Sequence, residues 1–234
     1  MYTLDIIVPF YNEEFFLEDS VERLLKTNVH TNIYLVDNNS DDHSPEIAKK
    51  LSKDRVDIHY IKTLEVSGKG FGIQTVIPFL KSSHVVIHDA DLEYFPDDLI
   101  EMKSVSENNP ESLILGTRFK GNKKRNNQYL RTVFANKFLS LFFSIIYMYK
   151  VSDIATCYKL LPVKKIKKME LRENGFAVEV EIIAKFLKLK NPSLKEVPIH
   201  YDGRTFKEGK KINIMDGFKY IFKTIQYRIY LFRK

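Results

Sequence analysis

Val85-Val86-Ile87-His88-Asp89-Ala90-Asp91-Leu92-Glu93 is the stretch on which the reading of this chain turns. Three β-branched apolar residues read as a buried strand. The strand stops at two acids separated by one small residue, with a third acid two positions on. Open α/β sheets bind ligands in the crevice beyond the carboxyl ends of their strands. Carboxylates this close repel one another unless a cation lies among them, and hard cations take oxygen ligands. The stretch therefore points to a Mg²⁺ or Mn²⁺ site that holds a diphosphate. The competing reading is an Asp-rich helix start ahead of Pro96.

Outward from this stretch, strands and helices alternate. Leu4 to Val8 reads as a first strand ended by Pro9, and Tyr11-Asn12-Glu13-Glu14 opens a helix with acids suited to its dipole. Asn32 to Val36 is a second strand, closed by Asp37 and the polar turn Asn38-Asn39-Ser40-Asp41-Asp42. A helix through Ile47 and Leu51 and a strand from Asp57 to Ile61 follow. Gly68-Lys69-Gly70-Phe71-Gly72 opens a helix to about Leu80, Pro96-Asp97-Asp98 starts another, and Ser112 to Gly116 is a fifth strand. This alternation predicts an α/β, doubly wound, mostly parallel sheet flanked by helices, in a single domain.

The character changes after Thr117. Arg118 to Arg131 is polar and basic and reads as a mobile loop. Residues 133–149 form an apolar helix, expected to be too short to span a bilayer. A helix from Ala177 to Lys188, a strand at 194–200 and a Gly- and Lys-rich loop from Asp202 to Lys211 follow. Residues 216–234 read as a helix with Phe218, Ile221, Phe222, Ile225, Ile229 and Phe232 on one side and most of its Lys and Arg elsewhere.

Composition narrows the partners. A formal charge of +7 and a pI near 9.2 favour a polyanion: nucleic acid, an anionic membrane surface or phosphorylated small molecules. A nucleic-acid binder would have no use for three acids in a crevice, so no nucleic acid is expected. Cys157 is the one cysteine, which allows no internal disulfide and indicates a reducing compartment. The first residues lack the basic and apolar regions of a signal peptide. His30, His43, His59, His84, His88 and His200 have no metal-ligand spacing. His88 abuts the acids, but strand alternation turns its side chain to the opposite face.

Taken in order, six motifs resemble the family 2 glycosyltransferases with the GT-A fold, in their dolichol-phosphate mannose synthase-like branch. They are Val8-Pro9-Phe10-Tyr11-Asn12-Glu13-Glu14, Val36-Asp37-Asn38-Asn39-Ser40, Gly68-Lys69-Gly70, Asp89-Ala90-Asp91-Leu92-Glu93, Leu115-Gly116-Thr117-Arg118-Phe119, and Glu196-Val197-Pro198-Ile199 with Arg204. The resemblance implies a GT-A domain over residues 1–212, followed by a basic amphipathic helix at 213–234. It implies inverting, metal-dependent transfer of a sugar from a UDP- or GDP-linked donor. The preferred acceptor is a polyprenyl (dolichyl or undecaprenyl) phosphate; the alternative is a saccharide or other hydroxyl. A sugar-nucleotide nucleotidyltransferase is a remote third reading, opposed by Pro9-Phe10-Tyr11-Asn12 where those enzymes carry a Gly-rich signature.

Two departures stand out. Relatives carry Asp-Asp-Gly-Ser where this chain has Asp37-Asn38-Asn39-Ser40, and the loop Arg204 to Lys211 differs from the Gly-Glu-Ser-Lys form of the mannose synthases.

Each expected site residue has a chemical reason. The resemblance makes Asp91 the main metal ligand, with Asp89 near ribose and metal and Glu93 a further ligand. Pro9, Tyr11, Glu13 and Asp37 sit at the ends of the first two strands, where the Tyr11 ring can stack on a base and Asp37 can accept from base or ribose. Lys69, between glycines that let the backbone approach, can meet phosphate. Arginine presents a rigid fork of donors to phosphate, and the resemblance places Arg118, Arg131 and Arg204 around the acceptor phosphate. A phosphate acceptor is already an anion and needs no general base. A hydroxyl acceptor needs one, and Asp153 is the candidate; the other reading of Asp153 is a helix N-cap or a carboxylate that orients an arginine. Residues 133–149 and the basic tail suit a protein lying on the cytoplasmic face of an anionic membrane, or else core helices or a homodimer interface.

Overall fold

The computed structural model describes residues 1–53, 55–66, 68–127, 129–204 and 214–230. Seven strands form one sheet in the order β3-β2-β1-β4-β7-β5-β8. They are β1 (Leu4–Phe10), β2 (Asn32–Asp37), β3 (Ile58–Lys62), β4 (His84–Ile87), β5 (Leu113–Thr117), β7 (Lys159–Pro162) and β8 (Leu194–Pro198). All neighbouring pairs are parallel except those of β7, which runs antiparallel to both β4 and β5. The helices are α1 (Leu17–Thr27), α2 (Ser44–Lys53), α3 (Lys69–Val76), α4 (Asp98–Asn108), α5 (Leu130–Tyr147), α6 (Val163–Met169), α7 (Val178–Phe186) and α8 (Ile214–Tyr230). A two-stranded ribbon pairs β6 (Arg125–Asn126) with β9 (Tyr201–Asp202).

Every residue of β1, β4, β5 and β7 is buried, the signature of strands covered on both faces. Among the polar residues buried in these strands is Asp5 of β1. Its carboxylate accepts from the backbone N–H groups of Lys81 (2.9 Å) and Ser82 (3.0 Å), from Ser82 Oγ (2.6 Å) and from Asn32 Nδ2 (2.8 Å). It ties the amino-end rim of the sheet together, and the opposite rim is left for ligands.

Four differences from the sequence reading matter for the site. β1 continues through Pro9 to Phe10, and α1 starts only at Leu17. The described residues between Arg118 and Arg131 are not one long loop, since β6 pairs with β9 and α5 begins at Leu130. β7 and α6 were not anticipated: the Cys157-Tyr158-Lys159-Leu160-Leu161-Pro162 run is short, carries a lysine and ends in proline. Finally, α5 has 18 residues and is long and apolar enough, by length and composition alone, to cross a membrane, with only 22% of it buried. The expected loop from Asp202 to Lys211 falls, beyond Arg204, outside the described residues. So does the end of the tail after Tyr230, including Phe232.

α8 packs against α5 and α7. Tyr147 donates to Thr224 O (3.3 Å), Tyr220 to Phe176 O (3.0 Å) and Tyr227 to Glu173 Oε1 (2.7 Å). Leu130, Phe134, Phe138, Leu141 and Ile145 of α5 and Phe218, Phe222, Ile225 and Ile229 of α8 remain exposed.

Candidate active site

The carboxyl-end rim of the sheet opens into a cavity of about 280 Å³. Pro9, Tyr11, Glu13, Lys69, Asp89, Asp91, Glu93, Arg118 and Arg204, all singled out from the sequence, line it. Asp37, Arg131 and Asp153 do not.

The acidic stretch sits where β4 ends. Strand alternation sends His88 to the other side: it is buried, its Nε2 lies 3.0 Å from Ser20 Oγ, and its Nδ1 lies 3.0 Å from Tyr158 OH. Burial pushes its pKa down to about 4, so it is neutral. Asp89 receives Lys69 Nζ at 2.7 Å on Oδ1 and 2.9 Å on Oδ2. Glu93 accepts from Tyr201 OH (2.5 Å) and from the backbone N–H of Arg204 (2.7 Å). Asp91 Oδ1 accepts the N–H of Glu93 at 3.2 Å. Burial first, then the charges of Glu93 and Asp89, push the Asp91 carboxyl up to about 8. A carboxyl raised by neighbouring acids marks a place where positive charge is in deficit.

That environment fits a divalent ion with hard oxygen preference. Among the described residues no three side chains are arranged to enclose an ion by themselves. Mg²⁺ in particular is held by one or two carboxylates and completes its octahedron with substrate phosphates and water. Asp91, with Asp89, would hold the ion, which would supply Lewis-acid stabilisation of a leaving diphosphate.

The arginines are placed unequally. Arg204 donates from Nη2 to Glu13 Oε2 (2.6 Å) and from Nε to Asp91 O (2.8 Å), and its guanidinium stacks 4.2 Å from the Phe16 ring centre. Arg118 grips Asp153 through its backbone N–H (3.0 Å), Nε (2.8 Å) and Nη2 (2.8 Å). Burial opposes the charge of Arg118, but Asp153 outweighs it and holds the guanidinium well above its ordinary pKa. Asp153 is fully buried behind the cavity wall. Arg131 lies exposed in the first turn of α5. A second, small recess on the far side of Arg118 and Tyr201 is bounded by Tyr129, Thr132, Val133 and Asn136.

Where β1 and β2 end, Asp37 is set back from the cavity. Both oxygens of Asp37 are taken, Oδ1 by the N–H of Ser40 (2.7 Å) and Oδ2 by Tyr60 OH (2.9 Å), and the residue is fully buried. Its neighbour Asn38 lines the cavity instead. Asn39 adopts φ 60°, a left-handed conformation that glycine fills most easily and asparagine next. The departure from the relatives' Gly at this position therefore keeps the turn.

Glu179, Tyr94, Phe176, Tyr201 and Tyr220 also line the cavity and were not expected. Only Glu179 left a trace in sequence: Ala177-Val178-Glu179-Val180-Glu181-Ile182 sets two acids in a run that is otherwise apolar.

The comparisons agree with this geometry. The model of glycosyl transferase family 2 matches residues 5–169. A UDP-N-acetylglucosamine–dolichyl-phosphate N-acetylglucosaminyltransferase of Methanococcus voltae is 26% identical over 96% of this chain and 95% of its own length. An uncharacterized protein of Methanocaldococcus jannaschii is 27% identical over 96% of this chain and 92% of its own. Among solved structures, glucosyl-3-phosphoglycerate synthase from Mycobacterium tuberculosis superposes with TM-score 0.70 at 15% identity, covering 97% of this chain and 78% of that one. It was solved with Mn²⁺, uridine diphosphate and phosphoglyceric acid. The same enzyme with Mg²⁺ and uridine diphosphate gives TM-score 0.71 at 14% identity, covering 97% and 79%. With the family model matched over most of its length and the GT-A sheet in place, the chain belongs to glycosyl transferase family 2 and is a glycosyltransferase.

Proposed function

We propose that this glycosyltransferase moves a sugar from a nucleoside diphosphate donor to the phosphate of a polyprenyl lipid, with inversion and with Mg²⁺ or Mn²⁺ bound. One observation carries the choice of acceptor. Asp153, the candidate base for a hydroxyl acceptor, is buried and committed to Arg118 through three hydrogen bonds. A hydroxyl nucleophile must lose its proton to a base within hydrogen-bond reach; a phosphate monoester is an anion and attacks without one. The acceptor phosphate would approach beside Arg118, which with Tyr201 is shared by the donor cavity and the recess next to α5. The Methanococcus voltae relative, whose name specifies a dolichyl phosphate acceptor, supports the same reading.

In this reading residues 1–212 form the catalytic domain, and the helix within 213–234 works with α5 at a membrane. α5 has no acid and α8 has one, Asp216, against Arg131, Lys137, Lys219, Lys223 and Arg228. Apolar exposed faces with basic flanks suit the anionic cytoplasmic leaflet.

A thermal-shift screen of UDP- and GDP-sugars with Mn²⁺ tests the donor half. A ligand at a hundred times its Kd adds about 2.7 kcal/mol to the stability of the native state. One nucleotide class is expected to raise the midpoint, and only with the metal present. A flat response to every nucleotide sugar overturns the reading.

A further inference from the structure

Four charges alternate in sign through the interior beside the cavity. Lys69 Nζ lies 2.7 Å from Asp89 Oδ1 and 2.7 Å from Glu179 Oε1. Glu179 Oε2 is bonded in turn to the ammonium of Lys159, which also donates to Thr156 O. Lys159 is fully buried and the Glu179 side chain is only 2% exposed. The chain of charges thus runs from the end of β4 through the start of α3 and the first turn of α7 to β7.

The segment that carries Glu179 also grips the backbone around Lys69. Asn174 O accepts the N–H of Phe71 (3.0 Å), and Glu173 O accepts from Gln74 Nε2 (3.1 Å). Gly68 adopts φ 97°, and a Cβ on Gly70 would lie 1.9 Å from Glu173 O. Residues 173–179 therefore hold the start of α3 through the Phe71 N–H and the Gln74 amide, and Lys69 through its ammonium.

We propose that Glu179 is a positioning residue for sugar-nucleotide binding: it acts through Lys69, with Lys159 as its own buried counter-ion. An ammonium has three donors and no preferred plane. With Asp89 as its sole partner, Lys69 would settle on that carboxylate and quench charge that a divalent cation needs. Glu179 shares the ammonium with Asp89 and holds it at the cavity wall, where a diphosphate oxygen can take a donor. Lys159 holds the Glu179 carboxylate in place through the bond to its Oε2.

This inference rests on the donor reading above, and the test separates the two. The probe is uridine diphosphate (or guanosine diphosphate, whichever the wild type prefers) with Mn²⁺, titrated by calorimetry in the full chain. Wild type, Glu179→Gln, Lys69→Met and the double variant form a cycle. Glu179→Gln is expected to weaken nucleotide binding about tenfold, as loss of the ion-pair partner of a buried ammonium does. In the Lys69→Met background, Glu179→Gln is expected to change it by less than about twofold, because a positioning residue has nothing left to position. If Glu179→Gln fails to fold beside an unpaired Lys159, the Glu179→Gln/Lys159→Met variant removes both buried charges and is expected to show the same defect. Equal affinity of wild type and Glu179→Gln overturns the inference while leaving the donor reading intact. So does a Glu179→Gln effect of the same size with and without Lys69, which marks a merely structural role. A wild type that binds neither diphosphate overturns the donor reading and the inference with it.

Discussion

Asp153 and Asp91 show how burial divides labour between carboxylates. Asp153 is enclosed and satisfied by one arginine, which makes it a support behind the wall. Removing one partner of a buried ion pair leaves the other charge uncompensated. Asp153→Asn is therefore expected to cost about 3 kcal/mol, read as a lowered denaturant midpoint. A variant with the wild-type midpoint and lost turnover would instead mark Asp153 as a base. Asp91 lines the cavity and its carboxyl is pushed up by burial and by Glu93 and Asp89. Asp91→Ala is expected to abolish Mn²⁺-dependent nucleotide binding while leaving thermal stability at or above wild type, since a strained carboxyl is removed. Retained binding in that variant would sink the metal assignment. Asp89 and Asp91 were legible in sequence because their spacing is local. The pairings of Arg118 with Asp153 and of Lys69 with Glu179 were not, because those partners are brought together only by the fold.

Among the elements, β7 and α6 are ones that sequence concealed. A four-residue antiparallel strand between β4 and β5 has too few residues for its period to show, and its lysine reads as surface until Glu179 is seen beside it. α3 was legible from its glycines, and the structure explains them unequally. Gly70 abuts Glu173 O, whereas a Cβ on Gly72 would meet Val36 Cγ1 at 3.4 Å. Gly70→Ala is expected to destabilise by about 3 kcal/mol or more through overpacking and to weaken nucleotide binding; Gly72→Ala is expected to stay within about 1 kcal/mol of wild type. Indistinguishable melting curves for the two would contradict the clamp on the α3 entry loop. α5 and α8 carry the membrane reading. Phe218→Asp with Phe222→Asp is expected to abolish cosedimentation with anionic liposomes at low salt, and wild-type binding is expected to weaken as salt screens the basic flanks. Wild-type protein that ignores such liposomes would remove the membrane from the account.

At the scale of the molecule, the parallel half of the sheet was readable because fully buried strands are continuous apolar runs. The order β3-β2-β1-β4 brings Pro9, Tyr11, Asp89 and Asp91 to one rim. The far half, with β7, β5, β8 and α8, depends on long-range contacts, and that is where Glu179, Tyr201 and Tyr220 came from unannounced. Each motif of the proposed donor end is local in sequence, whereas the pair proposed at the acceptor end, Arg118 with Asp153, is assembled from distant segments. The central claim, sugar transfer to a lipid phosphate, is tested most directly by incubating the protein with a radiolabelled nucleotide sugar, Mn²⁺ and vesicles carrying polyprenyl phosphate, then partitioning the products. The account predicts label in the organic phase, lost on chelation of the metal or on Asp91→Ala. Label that passes only to a water-soluble saccharide acceptor, with the lipid phosphate untouched, would contradict it.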